Sequence, residues 1–236
     1  MTSAPMPPVR GLIFDKDGTL FDFNATWGGW MAKTIAGLSA GDADRASAMA
    51  EVLGFDLASG LYKPGALGVA ATTGEIVDLL LPHLPGETTH EALLARLDAA
   101  ASAVRQVPVA PLGPLLAELA QGRILALVTN DTEAAARAHL AQVGVTEAFA
   151  FLSGFDSGHG GKPAPGQLLA FCAAHGLAPE EVLMIGDSRH DLLAAEAAGM
   201  RGIGVLTGPA GPEELAPLAE AVLPSIAALP GWLSGL

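Results

Sequence analysis

Short apolar runs alternate with helical patterns along most of this chain, and that alternation limits the folds open to it. Apolar runs with β-branched or aromatic residues predict strands at 9–14, 124–128, 149–152, 182–185 and 202–205, with a weaker candidate at 221–223. Helical patterns lie between them at 112–121, 133–142, 165–175 and 191–198. Strands that alternate with helices of about ten residues predict βαβ units. The sequence therefore predicts an α/β fold with a doubly wound, mostly parallel sheet.

One stretch, from about residue 21 to residue 106, breaks the alternation. It holds Ala- and Leu-rich helical patterns at 26–39, 42–53, 73–81 and 88–105, punctuated by Gly54 and by Pro- and Gly-containing turns at 64–65 and 82–86. No good strand is predicted within it. An insert placed directly after the first strand predicts an α-helical cap domain over the strand ends. The predicted division is a core domain of residues 1–20 and 107–236 and a cap domain of residues 21–106.

The charge balance limits the partners open to the chain. Acidic residues outnumber basic ones 25 to 12, which gives a formal net charge of -13. This field repels phosphate backbones, so we expect no nucleic-acid binding through a general basic surface. An anionic substrate would need local positive charge, from a metal ion or from a placed lysine.

Other features predict a globular protein in the cytoplasm. Half of the residues are apolar and 16% are charged, as in chains that fold around a core. The one cysteine, Cys172, lies in an apolar helical pattern and is predicted to be a buried core residue. Residues 1–9 lack the pattern of a secretory signal, and no apolar stretch approaches the roughly 18 residues that span a bilayer. We expect no membrane partner and either a monomer or a homodimer.

Four polar loops follow the predicted strands, and ligands of open parallel sheets bind at the carboxyl ends of strands. Two carboxylates one residue apart, in Asp15-Lys16-Asp17-Gly18-Thr19, raise each other's pKa unless a cation or a proton separates them. The other loops are 129–131 (Thr-Asn-Asp), 160–163 (Gly-Gly-Lys-Pro) and 186–191 (Gly-Asp-Ser-Arg-His-Asp). Together they gather carboxylates, a hydroxyl and an ammonium group around one crevice.

These four loops, in this order, resemble the four motifs of the haloacid dehalogenase-like (HAD) hydrolase superfamily. The resemblance spans residues 9–205, and the insert stands where that family carries its helical cap. Within the family the chain is most similar to phosphoglycolate phosphatase-like members. The resemblance implies a Rossmann-like core and a phosphatase that hydrolyses a small phosphorylated metabolite, with phosphoglycolate as the leading candidate.

The resemblance also implies a role for each site residue. Asp15 would attack phosphorus and form an aspartyl-phosphate, and Asp17 would serve as general acid and base. Thr129, Asn130 and Lys162 would bind the phosphoryl group. Mg²⁺ would be the cofactor, held by Asp15, the backbone carbonyl of Asp17, Asp187 and Asp191, because it prefers oxygen ligands.

Structural interpretations compete with several of these roles. Asp187 to Asp191 is also typical of a helix start, and residues 129–131 suit a cap for the helix near residue 133. Lys162 suits a surface turn. For His83, His90, His139 and His175 a surface position is the expectation, and His159 and His190 are read as polar loop residues. Cap residues that suit substrate recognition equally suit cap packing or solvent contact: Trp27, Trp30, Lys33, Arg45, Tyr62 and Lys63.

Other functions stay open at this point. A β-phosphoglucomutase-like phosphomutase would share the four motifs but would return the phosphoryl group to a sugar. A catalytically idle phosphate-binding regulatory module would not need both Asp15 and Asp17. A dehalogenase would have no use for Asp17 or a metal site, and a phosphonate hydrolase would need a supported cap lysine, whereas Lys33 and Lys63 carry no motif.

Overall fold

A computed structural model describes residues 7–63 and 65–236 of the chain. Sequence predictions for residues 1–6 and for the turn at Pro64 lie outside these described residues. The strands are β1 Gly11–Phe14, β2 Phe55–Asp56, β3 Leu61–Tyr62, β4 Ile124–Val128, β5 Phe151–Ser153, β6 Val182–Gly186, β7 Arg201–Val205 and β8 Ala221–Leu223. The helices are α1 Phe23–Ser39, α2 Ala43–Leu53, α3 Leu67–Ala70, α4 Thr73–Leu80, α5 His90–Ser102, α6 Leu112–Leu119, α7 Glu133–Gln142, α8 Gly166–His175, α9 Arg189–Ala198, α10 Pro212–Leu215 and α11 Leu229–Leu233.

Six strands form one sheet in the order β5-β4-β1-β6-β7-β8. Every pair of neighbours in it is parallel, and Phe14 of β1 aligns with Leu127 of β4 and Ile185 of β6. From β1 the chain builds outward through β4 and β5 on one side, then crosses to β6, β7 and β8 on the other. The strand order therefore reverses between β1 and β6, where ligand crevices of such sheets lie.

Both faces of this sheet are buried, because alternate residues of each strand pack against helices on opposite sides. Leu12 and Phe14 contribute to one hydrophobic cluster, together with residues of α6, α7 and α11. Ile13 contributes to a second cluster, together with residues of α8 and α9, and Cys172 is part of that core as predicted. Two covered faces confirm the prediction of a doubly wound α/β fold.

Glycines in the left-handed conformation follow the core helices where the sequence places them. Gly176 and Gly199 are the C-terminal caps of α8 and α9, with φ values of 63° and 73°. Gly122 and Gly144 are also left-handed and lie three residues beyond α6 and two residues beyond α7, respectively. Each of these glycines lets the chain turn back into the next strand.

The segment between β1 and α6 has a hydrophobic core of its own. Its buried residues lie between Phe23 and Ala101 and include Met31, Met49 and Leu93. Helices dominate this segment, but the expectation that it holds no strand is wrong. Antiparallel β2 and β3 form a hairpin in which Phe55 aligns with Tyr62. Two residues per strand are too few to give an alternating sequence pattern.

Within the described residues, no helix is long and apolar enough to cross a membrane.

Candidate active site

The polar loops predicted from the sequence meet at the carboxyl edge of β1, β4 and β6. They line one pocket, called here the inner pocket, together with residues of the segment between β1 and α6. All seven predicted site residues lie in its lining: Asp15, Asp17, Thr129, Asn130, Lys162, Asp187 and Asp191. Residues 176 positions apart in the chain are therefore neighbours in the fold, as a parallel sheet with this strand order requires.

Lys162 joins three of these loops. Its ammonium group donates to Asp15 Oδ1 at 2.6 Å, to Asp191 Oδ1 at 2.5 Å and to the carbonyl of Val128 at 3.1 Å. The residue is only 6% exposed, so the interpretation of a solvated surface lysine is wrong. A buried ammonium needs such partners, because an unpaired charge is costly away from water.

Burial and crowding shift the ionisation of this group of residues. Burial raises the pKa of Asp15 to about 7, with Lys162 opposing the shift and Asp191 adding to it. Burial, then the nearby charges of Asp15 and Asp191, raises the pKa of Asp187 well above its ordinary value. Burial alone would lower the pKa of Lys162, but the two carboxylates that it contacts raise it above the ordinary value. The single positive charge of Lys162 therefore does not balance the negative charges that Asp15, Asp187 and Asp191 carry when all three are ionised.

A divalent cation fits this excess of carboxylate. Asp15, Asp187 and Asp191 each offer an oxygen, and these oxygens all lie within 4.8 Å of one another. Asp187 Oδ2 is buried and has no hydrogen-bond partner among the described residues. An unpaired buried carboxylate oxygen calls for a ligand, and carboxylates are the groups with which proteins bind Mg²⁺. The donor set therefore suits a hard cation.

Two glycines make room for Asp187. A Cβ atom at Gly208 would lie 1.6 Å from Asp187 Oδ2, and one at Gly18 would lie 2.2 Å from the same oxygen. Gly18 also has a φ of 80°, a backbone conformation that residues other than glycine rarely adopt. The backbones of the loops after β1 and β7 thus lie so close to the Asp187 carboxylate that no side chain fits at Gly18 or Gly208.

Asp191 has the helix-start role that the sequence left open, and it also lies in the charged cluster. Its Oδ2 accepts hydrogen bonds from the backbone N–H and the hydroxyl of Ser188, which precedes α9. Its Oδ1 binds Lys162. The carboxylate therefore stabilises the start of the helix and at the same time belongs to the charged cluster.

The loop after β4 ties two elements together. The Asn130 side chain donates to the carbonyl of Lys162 at 2.9 Å and accepts from its N–H at 2.8 Å. Thr129 is buried, and its hydroxyl accepts from the N–H of Asp131 at 3.1 Å. The cap of α7 is Thr132, whose hydroxyl accepts from Ala135. Thr129 and Asn130 therefore do not form the N-terminal cap of α7.

Asp17 has partners that differ from those of Asp15. Trp27 of α1 donates its indole N–H to Asp17 Oδ1 at 2.7 Å, and Lys16 Nζ lies 3.0 Å from Asp17 Oδ2. From its sequence position, Trp27 is a candidate for substrate recognition or cap packing, and a contact with Asp17 is not predicted. Helix α1, which lies in the segment between β1 and α6, therefore contacts the carboxylate of Asp17.

Lys16 lies at the centre of a buried network that the sequence did not predict. It is fully buried, donates to Asp131 Oδ2 at 2.5 Å and contacts His139 Nδ1 at 2.8 Å. Burial and the positive charge of Lys16 lower the pKa of His139, so the imidazole is neutral. Since His139 Nε2 lies 3.1 Å from the carbonyl of Ala101, that nitrogen carries the proton and Nδ1 accepts from Lys16.

The expectation of a surface position for His139 is therefore wrong, because the residue is fully buried. His90 is exposed as expected and pairs with Asp78, whereas His83 and His175 are half-buried. His159 and His190 are exposed in their loops, and His190 also lines the inner pocket. The partners of the buried imidazole, Lys16 and the carbonyl of Ala101, are distant from His139 in the sequence, so its burial is visible only in the folded structure.

Aromatic residues of the inserted segment cover the site. Trp27, Trp30 and Tyr62 pack in the segment's own core, as the packing interpretation expects, and they also line the inner pocket. Contact between these residues and a substrate stays a prediction. Lys33 and Lys63 are exposed, and Arg45 donates to the carbonyl of Ser39.

Comparison with known proteins agrees with this geometry. The profile of the family described as "haloacid dehalogenase-like hydrolase" matches residues 9–199. A phosphoglycolate phosphatase from Photorhabdus laumondii is 29% identical over 219 residues, which cover 88% of this chain and 85% of that protein.

Solved structures share the fold. A putative haloacid dehalogenase-like hydrolase from Bacteroides fragilis superposes with a TM-score of 0.73 at 19% identity, over 94% of this chain and 100% of that chain. A putative β-phosphoglucomutase from Thermotoga maritima superposes with a TM-score of 0.67 at 19% identity, over 96% and 99%. At these identities the likeness concerns the fold alone.

Proposed function

Because the chain belongs to the haloacid dehalogenase-like hydrolase family, we propose that it is a Mg²⁺-dependent phosphatase acting on a small phosphomonoester. The observation that carries the proposal is the pairing of Asp15 with Lys162 at 2.6 Å, in a pocket that Asp17, Asp187 and Asp191 also line. Residues 21–106 would form its cap domain, and residues 1–20 and 107–236 its catalytic core domain.

Asp15 would be the nucleophile. One of its carboxylate oxygens attacks phosphorus, the bond from phosphorus to the ester oxygen breaks, and an aspartyl-phosphate forms. The ion pair with Lys162 supports this role, because it favours the ionised carboxylate that the attack needs. Lys162 would also offset the negative charge of the transferring group.

Asp17 would move the protons of both steps. In the first it gives a proton to the departing alkoxide, so the alcohol leaves neutral. In the second it takes a proton from the water that attacks the aspartyl-phosphate, which releases inorganic phosphate and restores Asp15. The hydrogen bond from Trp27 supports this role, because it fixes the orientation of the Asp17 carboxylate.

The remaining site residues would hold the phosphoryl group and the cation. Thr129 would donate its hydroxyl to a phosphoryl oxygen, and Asn130 its backbone N–H. Asp15, Asp187 and Asp191 would hold Mg²⁺ with their side chains, and Asp17 with its backbone carbonyl. When bound, the cation would supply positive charge to the phosphoryl oxygens.

The test is phosphate release from a panel of phosphomonoesters, with Mg²⁺ and with EDTA. Phosphoglycolate heads the panel, because a relative that matches most of this chain carries that name. Release that requires Mg²⁺ and is lost in Asp15→Asn supports the proposal. Release that persists in EDTA would contradict the metal dependence. Formation of a sugar bisphosphate without net phosphate release would identify a phosphomutase, and binding of phosphate with no turnover of any ester would identify an idle binding module.

A further inference from the structure

The half of the inner pocket that faces the inserted segment is apolar. Its lining there consists of aromatic and aliphatic side chains with one threonine, and includes Phe23, Trp27, Trp30, Tyr62, Val69 and Ile76. Within the part of the chain that the structure describes, this half of the lining contains no lysine and no arginine. The leaving group of a phosphomonoester bound at Asp15 would occupy this half.

The rest of the pocket lining has an excess of negative charge, which disfavours an anionic leaving group. Five aspartates line the inner pocket, and its one lysine, Lys162, is paired with Asp15 and Asp191. His190 lines the pocket and is exposed to solvent. A carboxylate on the leaving group would therefore be buried against aromatic rings and near other carboxylates without a cation, which is costly.

Two further cations lie near the inner pocket but are not part of its lining. Lys16 is fully buried behind Asp17 and Trp27 and is paired with Asp17 and Asp131. Arg189 lines the adjoining groove, which shares Lys162, Asp187 and several other residues with the inner pocket, among them Val69, Ala71 and His190. Arg189 is exposed, and the lining of that groove also contains the acids Glu75, Asp78 and Glu214. The groove therefore does not supply the net positive charge that the inner pocket lacks.

One buried polar group of a residue in the apolar half lacks a hydrogen-bond partner and would suit a neutral ligand atom. The indole N–H of Trp30 is buried and has no hydrogen-bond partner among the described residues. Trp30 packs edge-on against Trp27, with ring centroids 5.4 Å apart. A buried donor without a partner is costly, and a ligand oxygen that accepts its hydrogen bond would remove that cost.

From these observations we infer that the pocket selects phosphomonoesters whose leaving group is uncharged and mainly apolar, with an acceptor oxygen for Trp30. The inference rests on the proposed phosphatase activity and names its substrate class. This selectivity predicts that phosphoglycolate is a poor substrate, because its leaving group carries a carboxylate. The inner pocket has a volume of about 90 Å³, which suits a compact group.

The test compares phosphoglycolate with its methyl ester, which has the same carbon skeleton next to phosphate but no charge. We expect kcat/KM to be about 100-fold higher for the methyl ester, as for removal of an unpaired buried charge. Propyl phosphate is the control for the electron-withdrawing effect of the ester group. It should also exceed phosphoglycolate, by about tenfold or more, since it shares the lack of charge.

Two variants test the contacts. Trp30→Phe removes the N–H and leaves a smaller aromatic ring, so kcat/KM for the methyl ester should fall about tenfold more than kcat/KM for propyl phosphate. Ala71→Lys places an ammonium group at the edge shared by the pocket and the groove. It should narrow the preference for the methyl ester over phosphoglycolate by about tenfold.

The outcomes separate this inference from the proposed function. Mg²⁺-dependent hydrolysis with phosphoglycolate preferred over its methyl ester and propyl phosphate would overturn the inference and leave the phosphatase standing. In that case His190 and Arg189 would be the groups to examine for the carboxylate. If neither these esters nor p-nitrophenyl phosphate is hydrolysed, the phosphatase proposal is overturned and the inference with it.

Discussion

Only Lys16 separates Asp15 from Asp17 in the sequence, yet the two carboxylates have different partners. Asp15 binds Lys162 and lies with Asp187 and Asp191, whereas Asp17 binds Trp27 and Lys16. In a continuous strand, residues two positions apart would point to the same side. β1 ends at Phe14 and the chain bends at Lys16, so the two carboxylates reach separate environments. The division suits one carboxylate that attacks phosphorus and one that transfers protons.

Asp17→Asn tests this division at the residue scale. The amide keeps the shape of the side chain but cannot give or take the proton, so kcat should fall by about 10²- to 10⁴-fold. Mg²⁺ affinity should stay near the wild-type value, because the proposed ligand at this position is the backbone carbonyl. Calorimetric titration with Mg²⁺ and a steady-state assay check both points. Full turnover in this variant would refute the role.

Trp27→Phe tests the hydrogen bond that orients Asp17. A bond to a charged group contributes about 1.5–3 kcal/mol, so its loss should lower kcat by about tenfold or more while KM changes little. A purely structural role would instead lower the unfolding midpoint without a selective effect on kcat. Trp232→Phe is the matched control, since Trp232 lies against Arg201 and not in the pocket lining. Equal kinetics for the two variants would contradict the positioning role.

At the scale of elements, the loop after β7 limits what can stand beside Asp187. Gly208→Ala would place a methyl group 1.6 Å from Asp187 Oδ2, so the carboxylate must move. We expect Mg²⁺ affinity to fall by about 10- to 100-fold, as for the loss of groups that orient a metal ligand. Thermal unfolding with and without Mg²⁺ measures the effect.

Gly29→Ala is the control for that variant. A Cβ at this position in α1 meets no heavy atom within 4 Å. Alanine in a helix interior is favoured over glycine by about 0.5–1 kcal/mol, so this variant should be slightly stabilised with unchanged Mg²⁺ affinity. A similar loss of affinity in both variants would show that the close approach of Gly208 to Asp187 is not the cause.

The core elements were predictable because their signals are local. β4 and α7 coincide with the predicted 124–128 and 133–142, since a buried parallel strand is a continuous apolar run and a glycine follows the helix. The β2–β3 hairpin was missed because two residues per strand give no pattern. The short helix α3 lacks a side-chain cap and was missed as well.

The site was predictable to the extent that it follows from motifs at strand ends. The pocket contains every predicted residue, because parallel strands bring their carboxyl ends to one edge. The contacts of Lys16 with Asp131 and His139 were not predictable, since they join residues more than 100 positions apart. Trp27 reaches Asp17 only through the packing of α1 onto the core, which no short-range pattern encodes.

For the whole molecule, the excess of buried carboxylate links stability to pH and to metal. Burial raises the pKa of Asp15 to about 7, above its ordinary value of 3.8. The folded state therefore holds this proton more tightly than the unfolded state, and stability from this group is lost as pH rises from about 4 to 7. A bound cation would counteract that loss, because it favours the ionised carboxylate.

We therefore expect the rise in melting temperature on adding Mg²⁺ to be larger at pH 8 than at pH 6. At a concentration of about 100 times Kd, Mg²⁺ should stabilise the protein by about 2.7 kcal/mol. Differential scanning calorimetry at both pH values, with EDTA as the reference, measures the increment. Asp187→Asn should lose most of it, and an equal increment in that variant would refute the ligand set.

The most direct measurement is the identification of the phosphorylated residue during turnover. The protein is mixed with Mg²⁺ and an ester that it hydrolyses, quenched in acid within milliseconds and digested for mass spectrometry. The account predicts a phosphate on the peptide that contains Asp15, absent without Mg²⁺ and absent in Asp15→Asn. Rapid phosphate release with no modification of Asp15 at any time point, or full activity of Asp15→Asn, would contradict it.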